Sequence, residues 1–390
     1  MRPRAAARPC RGTAREPQQL RYPSSIPVGA LTVTVRSGAR RTSYPIRIGR
    51  GLAGNLGRAL AGLAGADRAI VVSSPRVWTA VGPRVAPGLS GMPVVLVPDG
   101  ERAKHLRTVT RVHDALLDAR VDRKTVVLII GGGVLGDLAG FAAASFLRGL
   151  RVVQVPTTVV AQVDSAIGGK VGVNHARGKN LIGAFHPPIG VLVDPDLLTT
   201  LPARELRAGL FEVVKYGVIA DRRLFTRLER DLDRIRAGDP DALLPIVVAC
   251  ARIKAHVVSV DEHETGLRRI LNLGHTLGHA LEAITHYRRF KHGEAVGWGM
   301  LAAVAVARAR RAMSAAEAGR VAALIDRVGP RPPIADLSAA ACVAATARDK
   351  KVLAGTLHFV LPTGIGRTRV VTDVTGAALT RALRSLGTSA

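Results

Sequence analysis

The stretch "TVVLIIGGGVLGDLAGF" (residues 125–141) decides the fold class of this chain. Its first six residues have the β-branched, apolar character of a short buried strand, and the segment after the glycines suits a helix. Between them, Gly131, Gly133 and Gly136 follow the pattern G-x-G-x-x-G. Such a turn lets backbone N–H groups approach a pyrophosphate at a helix N-terminus. The pattern alone is weak, because two strands of the same region precede it and no acid follows about 20 residues later to bind a ribose. A simple tight glycine turn stays open as the alternative.

Strands of the same kind lie on both sides of this stretch. The runs are "LTVTV" (31–35), "YPIRI" (44–48), "AIVVSS" (69–74), "PVVLVP" (93–98), "RVVQVP" (151–156) and "GVLVD" (190–194). Most are separated by helical stretches, and this alternation predicts a mostly parallel, Rossmann-like α/β sheet.

The texture changes after residue 195. Amphipathic periodicity predicts helices over 203–219, 242–263, 268–286, 292–311 and 315–328, followed by a hairpin-like pair, "TLHFVLP" and "RTRVVT". We therefore predict a disordered Arg-rich extension (1–25), an α/β domain (26–194) and a mainly α-helical domain (195–390). The cleft between the two domains is the natural place for a site.

Composition narrows the class of protein. The chain has 390 residues, of which 47% are hydrophobic and 22% charged, as in ordinary globular proteins. The apolar run 295–307 is too short to span a bilayer, which needs about 20 residues. Cys10, Cys250 and Cys342 lie far apart and form neither a metal-binding spacing nor a disulfide framework. These features predict a cytoplasmic protein without a membrane segment.

The net charge of +27 invites a nucleic-acid interpretation, but its distribution argues against one. Ten of these charges lie in the first fifty residues, and the others are spread without Lys/Arg runs or aromatic interleaving. We expect them to attract anionic small molecules instead. The chain has 47 Arg but only nine Lys, and four Asn. A retained Lys or Asn therefore indicates a position where the chemistry requires that side chain.

Two of the four Asn and two of the nine Lys lie close together in "VPTTVVAQVDSAIGGKVGVNHARGKNLIGAF" (155–185). The polar residues of this segment include Asp164, Lys170, Asn174, Lys179 and Asn180. A solvated loop in this chain would have used Arg and Ser. We interpret the segment as a glycine-supported binding loop at the carboxyl edge of the sheet.

The stretch "LNLGHTLGHALE" (271–282) places His275 and His279 four residues apart, on one face of a helix. A pair of core histidines explains this spacing as well as a metal site does. The metalloprotease helix is excluded, because Thr276 stands where that motif needs Glu. Gly274 and Gly278 leave room for another element to approach the histidines.

Further metal-binding side chains occur on both sides of this helix. Glu212 in "RAGLFEVVKYGVIAD" (207–221) is either paired with Lys215, three residues later, or a metal ligand. His292 begins the apolar segment "HGEAVGWGM". Together with the two histidines, these residues offer more ligands than the three that a catalytic zinc takes from protein.

These motifs resemble the 3-dehydroquinate synthase family of the sugar phosphate cyclases, over residues from about 30 to 385. The motifs that carry the resemblance are "PDGERAKH", "GGGVLGDLAGFAAASFLRG", "VPTT", "AQVDSAIGGKVGVNHARGKNLIGAF", "AGLFEVVKYG", "LRRILNLGHTLGHALE", "HGEAVGWGM" and "DKKVLAG". The extension 1–25 lies outside the resemblance.

The resemblance assigns roles to individual residues. It implies that Glu212, His275 and His292 bind Zn²⁺, with Co²⁺ as the alternative, and that His279 and Glu264 handle protons. The implied NAD contacts are Asp99, Gly100, Glu101, Lys104, Gly133, Val134, Leu135, Gly136, Asp137, Thr157, Thr158, Lys170, Lys179, Leu197, Leu198, Thr199 and Thr200. The implied catalytic and substrate-binding residues are Arg148, Asp164, Lys170, Asn180, Lys215, Lys254, Arg268, Asn272 and Lys350, and Lys351 is interchangeable with Lys350 at this level.

The resemblance also implies a reaction, the conversion of 3-deoxy-D-arabino-heptulosonate 7-phosphate to 3-dehydroquinate and phosphate in the shikimate pathway. The steps are transient oxidation by NAD, loss of phosphate, re-reduction and intramolecular aldol closure, with zinc as Lewis acid. The substrate's carboxylate and phosphate require a pocket of Lys and Arg.

Several alternatives to this reaction stay open. They are sibling cyclases that make aminodehydroquinate, 2-epi-5-epi-valiolone or 2-deoxy-scyllo-inosose, and a polyol dehydrogenase, which would produce net NADH. The family expectation for the assembly is a homodimer.

Overall fold

A seven-stranded sheet is the centre of the first half of the chain. The structure, a computed structural model, describes residues 31–36, 43–63, 68–89, 91–346, 352–353 and 356–389. The extension 1–25, Lys350 and Lys351 lie outside these residues. The sheet strands are β1 (Leu31–Arg36), β2 (Ser43–Ile48), β3 (Ala69–Ser73), β4 (Val94–Leu96), β5 (Val126–Gly131), β6 (Arg151–Pro156) and β9 (Gly190–Val193).

The sheet is parallel except at one edge. The strands lie in the order β1-β2-β9-β6-β5-β3-β4, and only the β1–β2 pair is antiparallel. This arrangement confirms the mostly parallel α/β sheet predicted from the alternation of strands and helices. Every parallel strand ends at the same edge, so the loops that follow the strands meet there.

Three short antiparallel pairs complete the strands. They are β7 (Lys170–His175) with β8 (Gly178–Phe185), β10 (Val352–Leu353) with β11 (Thr356–Leu357), and β12 (Phe359–Gly364) with β13 (Arg367–Val371). The last pair confirms the predicted hairpin near the C-terminus. The first pair corrects the prediction of a polar loop over 155–185, which instead contains a π-helical turn, Ala161–Ser165, and then this ribbon.

Twelve α-helices surround the sheet or form the second half, within the residues described. They are α1 (Leu56–Ala61), α2 (Pro75–Val85), α3 (Leu106–Asp118), α4 (Gly133–Ser145), α5 (Ala203–Ile219), α6 (Arg222–Arg236), α7 (Pro240–Val260), α8 (His275–Ile284), α9 (His292–Ala309), α10 (Ala315–Val328), α11 (Ala339–Thr346) and α12 (Gly376–Ser385).

Alternate side chains of the central strands enter two different cores. Val127 and Ile129 pack in the core that α3 and α4 cover, whereas Leu128 and Ile130 pack in the core with α1 and α2. A strand that is buried on both faces is apolar at every position, which explains the uninterrupted run at 125–130.

A third and larger core lies among the helices of the second half. Residues of β2 and β9 contribute to it, so the helical part packs directly against one side of the sheet. Helix α7 is long and apolar enough to cross a membrane, but 61% of its most apolar window is buried inside the protein, as is common for a core helix. The division of the chain at residues 194 and 195 stays a prediction.

Two helix predictions need correction. The predicted helix 268–286 is interrupted: a 3-10 turn, Leu267–Asn272, is followed by Gly274 with a φ of 81°, and α8 begins only at His275. The apolar periodicity continues through the turn, so it does not reveal the break. Helix α6 was not predicted. It is rich in charged residues, and its apolar stripe, which includes Leu224, Leu228 and Leu232, is therefore narrow.

Candidate active site

The predicted cofactor residues gather at the carboxyl edge of the sheet. Asp99 to Lys104 follow β4, Gly133 to Asp137 follow β5, Thr157 and Thr158 follow β6, and Leu197 to Thr200 follow β9. The Thr157 amide donates to the Gly131 carbonyl at 3.0 Å, which holds two of these loops together. Parallel strands therefore assemble segments that lie about a hundred residues apart in sequence.

The glycines of the first motif act through close packing. None of Gly131, Gly133 and Gly136 has a left-handed φ. A Cβ on Gly133 would lie 2.7 Å from Ser165 Oγ, and one on Gly131 would lie 2.5 Å from Leu135 Cδ2. The N-cap residue of α4 is Gly132, which has no side chain that could cap the first amides of the helix. Uncapped amides at this position fit an anion such as a pyrophosphate.

A cluster of polar residues, here called the cofactor-side cluster because the predicted cofactor residues include most of them, lies beside this helix terminus. Its members are Glu101, Lys104, Asp137, Asn174 and Asn180. Lys104 Nζ donates to Asp137 Oδ2 at 2.6 Å and to Asn180 Oδ1 at 2.5 Å. The Asn180 amide donates to Asn174 Oδ1 at 2.9 Å, and Asn174 Nδ2 donates to Glu101 Oε1 at 2.8 Å. Asn180 has a φ of 52°, so its left-handed backbone is held by these contacts. The structure thus brings Asn174 and Asn180, two of the four Asn of the chain, together with Lys104.

A buried lysine cluster, formed by Asp164, Glu212, Lys215 and Lys254, lies under the cleft. Lys215 is fully buried, with its Nζ 2.5 Å from Glu212 Oε2 and 3.3 Å from Asp164 Oδ2. Lys254 Nζ donates to Asp164 Oδ1. Burial favours the neutral form of Lys215, but its two carboxylate neighbours keep its pKa above the usual value. Burial, with Arg268 nearby, lowers the pKa of Lys254 to about 8 although Asp164 opposes this shift.

A third group, formed by Lys170, Glu264 and Asn272, joins the first residue of β7 to the segment between α7 and α8. Lys170 Nζ donates to Glu264 Oε2, and Asn272 Nδ2 donates to Glu264 Oε1 at 2.5 Å. Burial alone would raise the pKa of Glu264, but Lys170 and Asn272 hold it below its usual range. Glu264 has a φ of 61°, a strained conformation that is often found at functional sites. Arg268 is buried next to this group, and its Nη1 donates to the Glu262 carbonyl at 2.5 Å.

The side chains of Glu212, His275 and His292, here called the triad, converge from three helices, α5, α8 and α9. Glu212 Oε1 lies 3.6 Å from His275 Nε2 and 3.4 Å from His292 Nε2. One ligand atom from each residue lies within 4.8 Å of the others. Glu212 is paired with Lys215 through Oε2, as one of the two predicted alternatives requires, and its Oε1 faces the two histidines. Its role as a metal ligand stays a prediction.

The triad fits a divalent transition metal. Glu212 Oε1 is buried and accepts no hydrogen bond of normal geometry from any residue that the structure describes. A buried carboxylate oxygen that accepts no hydrogen bond is costly even when a lysine lies beside the other oxygen, and a cation between it and two imidazoles would remove that cost. One carboxylate with two histidines is also a ligand set of catalytic zinc sites.

Close helix packing fixes the relative positions of the triad. A Cβ on Gly293 would lie 1.8 Å from the Ala208 carbonyl oxygen of α5, and one on Gly299 would lie 1.8 Å from the Gly274 carbonyl oxygen. A Cβ on Gly278 would lie 3.2 Å from the backbone of Ala295. The absence of side chains at these positions lets α5, α8 and α9 approach one another. This confirms the interpretation of the two glycines beside the histidines.

A second group of metal-ligating side chains overlaps the first. His279, Glu282 and His292 also have ligand atoms within 4.8 Å of one another. The ring centroids of His275 and His279 are 5.5 Å apart, so the predicted neighbour relationship is present. Sequence reasoning missed Glu282, a buried carboxylate three residues after His279 and seven after His275. That helical spacing on an apolar face was the available signal.

The structure does not place every predicted residue at the cleft surface. Leu135, Leu197 and Leu198 are buried in apolar cores, so only their backbones are available to a cofactor. Thr199 Oγ1 accepts from Arg84 Nη1 at 2.7 Å. Arg148 is exposed in the turn after α4, and no hydrogen bond or ion pair among the described residues joins it to the clusters above.

The sequence of the chain matches known proteins over most of its length. The model for the 3-dehydroquinate synthase N-terminal domain matches residues 94–208, and the model for the C-terminal domain matches residues 209–352. A 3-dehydroquinate synthase of Gloeobacter violaceus is 49% identical over 351 residues, covering 88% of this chain and 96% of the relative. One from Cyanothece sp. is 45% identical over 371 residues, covering 93% and 98%.

Solved structures of sibling enzymes share the fold. The 2-epi-5-epi-valiolone synthase of Streptomyces hygroscopicus subsp. jinggangensis, with NAD⁺ and Zn²⁺ bound, is 32% identical with a TM-score of 0.81, covering 90% of this chain and 98% of that one. A 2-deoxy-scyllo-inosose synthase complexed with carbaglucose-6-phosphate, NAD⁺ and Co²⁺ is 26% identical with a TM-score of 0.81, covering 91% and 99%. With its sheet, its cleft and these similarities taken together, the chain belongs to the 3-dehydroquinate synthase family.

Proposed function

We propose that the cleft converts 3-deoxy-D-arabino-heptulosonate 7-phosphate to 3-dehydroquinate and phosphate, with NAD and zinc as cofactors. The observation that carries this proposal is the position of the triad, which lies directly beside the buried lysine cluster through the shared residue Glu212. A site for a Lewis-acid metal next to fixed cations suits a substrate that is both a polyol and a polyanion.

The two cofactors would supply hydride transfer and Lewis-acid action, which the side chains of the protein cannot supply. When bound, NAD would accept and return a hydride at one carbon, and zinc or cobalt would act as Lewis acid at the oxygen of that carbon. Glu212, His275 and His292 would hold the metal. The first turn of α4 would face the pyrophosphate, and the cofactor-side cluster would contact the rest of the dinucleotide.

The anionic ends of the substrate need cations that do not move. Lys254 is almost fully buried and Lys215 fully buried, and Asp164 orients both. Arg268 is 2% exposed, so its guanidinium is also held in one position. Because these side chains are already desolvated and ordered, binding a phosphate or carboxylate costs little further side-chain entropy. Asn272 and Lys170 extend this surface, and Lys350 or Lys351 is proposed for it from the family motif alone.

Two residues are suited to moving protons. Glu264 is ionised at neutral pH because Lys170 and Asn272 hold its pKa low despite burial, and it therefore can accept a proton. His279 lies one helical turn from His275 and outside the triad, so its imidazole can exchange protons without leaving a metal. The proposal thus gives the two histidines different roles, a metal ligand at His275 and a proton-transfer group at His279.

Sibling cyclases are the second candidate, because one of them is 32% identical with the same fold. The proposal favours the heptulosonate phosphate because the relatives above that carry out its conversion are 45% and 49% identical. A homodimer and a cytoplasmic location are further proposals, which rest on the family expectation and on cysteine usage.

The test is an assay of the purified protein loaded with NAD and zinc. We expect stoichiometric phosphate release from the heptulosonate phosphate, formation of 3-dehydroquinate and no net NADH. Turnover of a carboxylate-free heptulose phosphate at an equal or higher rate would reassign the chain to a sibling activity. Net NADH production would instead indicate a polyol dehydrogenase.

A further inference from the structure

Glu282, on α8, contacts two residues with predicted cofactor roles. Its Oε2 lies 3.0 Å from His292 Nδ1, and its Oε1 accepts from Lys179 Nζ at 3.2 Å. The side chain is 4% exposed, so both of its oxygens are desolvated. No role was assigned to this residue from the sequence.

We propose that Glu282 is a positioning residue, which orients the metal ligand His292 and at the same time holds Lys179 on the cofactor side of the cleft. This inference rests on the metal site of the proposed function. It goes beyond that function because it places a residue outside the triad in control of metal affinity and links the metal to the cofactor-side cluster.

The geometry of His292 carries the first half of the proposal. Its Nε2 faces Glu212 Oε1 at 3.4 Å, whereas its Nδ1 faces Glu282. A carboxylate can only accept a hydrogen bond, so Glu282 selects the tautomer with the proton on Nδ1 and leaves the Nε2 lone pair for a metal.

The other histidine of the triad has the same arrangement with a different partner. His275 Nδ1 lies 3.1 Å from the Leu273 carbonyl oxygen, and its Nε2 faces Glu212. In each imidazole, Nδ1 therefore faces a hydrogen-bond acceptor and Nε2 faces Glu212 Oε1. The acceptor behind His275 is a neutral carbonyl, whereas the one behind His292 is a carboxylate, which increases the basicity of the ligand more strongly.

Lys179 carries the second half. It lies on β8, its Nζ is 3.6 Å from Glu101 Oε1, and it lies 4.1 Å from the centre of the Tyr287 ring. Glu101 in turn accepts from Asn174. A continuous series of charged and hydrogen-bonded contacts thus leads from the triad through Glu282 and Lys179 to the loop after β4. The buried carboxylate of Glu282 therefore fixes the position of His292 relative to the loop after β4.

The overlapping group of His279, Glu282 and His292 offers a competing role, in which Glu282 is itself a metal ligand. In that role Glu282 would contribute a bond to the ion and its removal would abolish binding. In the positioning role its removal would only weaken binding, by roughly 10–100-fold as for other outer carboxylates. The two roles therefore differ in metal stoichiometry.

The experiment compares Glu282→Gln and the charge-conserving but shorter Glu282→Asp with the unmodified protein. Zinc affinity is measured by chelator competition, zinc content at saturation by elemental analysis, and the melting temperature on metal-free protein. We expect Glu282→Gln to lower zinc affinity at least about tenfold, with one zinc per chain at saturation. The melting temperature of the metal-free protein should also fall, because Lys179 and His292 lose their carboxylate partner. Glu282→Asp should lower affinity in the same direction by less.

Two controls separate positioning from simple loss of a buried carboxylate. Asp194 is 2% exposed and accepts from the Ala53 amide at 2.8 Å, away from the triad. Asp194→Asn should lower the melting temperature but leave zinc affinity unchanged. Lys179→Gln should weaken NAD binding and should lower zinc affinity less than Glu282→Gln does, because Lys179 contacts His292 only through Glu282.

The outcomes are distinct. Zinc affinity within about twofold of the unmodified protein for both Glu282 variants overturns the inference, with the proposed function intact. Loss of saturable zinc in Glu282→Gln, as expected for Glu212→Ala, overturns it by making Glu282 a ligand. Absence of zinc binding in the unmodified protein overturns the proposed metal site, and the inference with it.

Discussion

Substitution of Gly293 by alanine should dismantle the metal site without touching any of its ligands. The added Cβ would lie 1.8 Å from the Ala208 carbonyl oxygen, whereas real Cβ atoms essentially never come within 3.0 Å. Because that oxygen belongs to the backbone of α5, no side-chain rotation relieves the clash. Helices α5 and α9 must separate by about 1.2 Å, and His292, the residue before Gly293, moves away from Glu212. Metal–ligand distances tolerate only about ±0.2 Å.

The expected loss follows from this comparison. A displacement several times the tolerance should lower zinc affinity by roughly 100-fold or more, since even outer-shell changes cost about 10–100-fold. Overpacking should also destabilise the fold by about 1–3 kcal/mol. The better helix propensity of alanine offsets up to about 1 kcal/mol of this loss.

The assay for Gly293→Ala is zinc affinity by chelator competition, together with thermal unfolding of the metal-free protein. The matched control is Gly319→Ala, in the middle of α10, where an added Cβ meets nothing within 4 Å. That variant should keep zinc affinity and gain up to about 1 kcal/mol of stability. Unchanged zinc affinity in Gly293→Ala would refute the claim that glycine-mediated helix contact sets the geometry of the triad.

The remaining predictions concern the charged residues and the metal. Lys215→Arg should lower kcat/KM for phosphate release at least about tenfold, because the buried space between two carboxylates has no room for a guanidinium. The control Lys124→Arg, at an exposed position, should change kcat/KM less than about twofold. An equal loss of kcat/KM in the two variants would contradict this prediction. Since burial lowers the pKa of Lys254 to about 8, the residue loses its positive charge as the pH rises through that value. The KM of the anionic substrate should therefore increase above about pH 8 in steady-state assays, and a flat profile would be the contrary result. Chelation should abolish turnover, and His279→Ala should retain zinc while losing about 10²–10⁴-fold in rate; a loss of zinc like that in His275→Ala would mean that the two histidines have been assigned the wrong way round.

Local sequence was sufficient for most of the fold. The central strands of the sheet appear as short β-branched runs, because a strand covered on both faces must be apolar at every position. Helices α5 and α10 agree with their predicted bounds to the residue. For α10 the reason is a clear start signal at Ser314 and a stop signal at Gly329. The family resemblance implied the triad and the cofactor residues, and the scarcity of Lys in a chain rich in Arg singled out the lysines of the buried cluster.

Local sequence did not reveal how these residues meet. The break before α8 depends on Gly274, whose left-handed φ is favoured because α9 packs against its backbone. The contacts of Glu282 could not be predicted from local sequence either. They depend on His292 and Lys179, which belong to other elements and lie beside Glu282 only in the folded protein. Periodicity and residue type report the face that a residue presents, because they depend on neighbours along the chain. Contact across the cleft depends on the packing of helices and strands that are distant in sequence, and only the tertiary structure determines that.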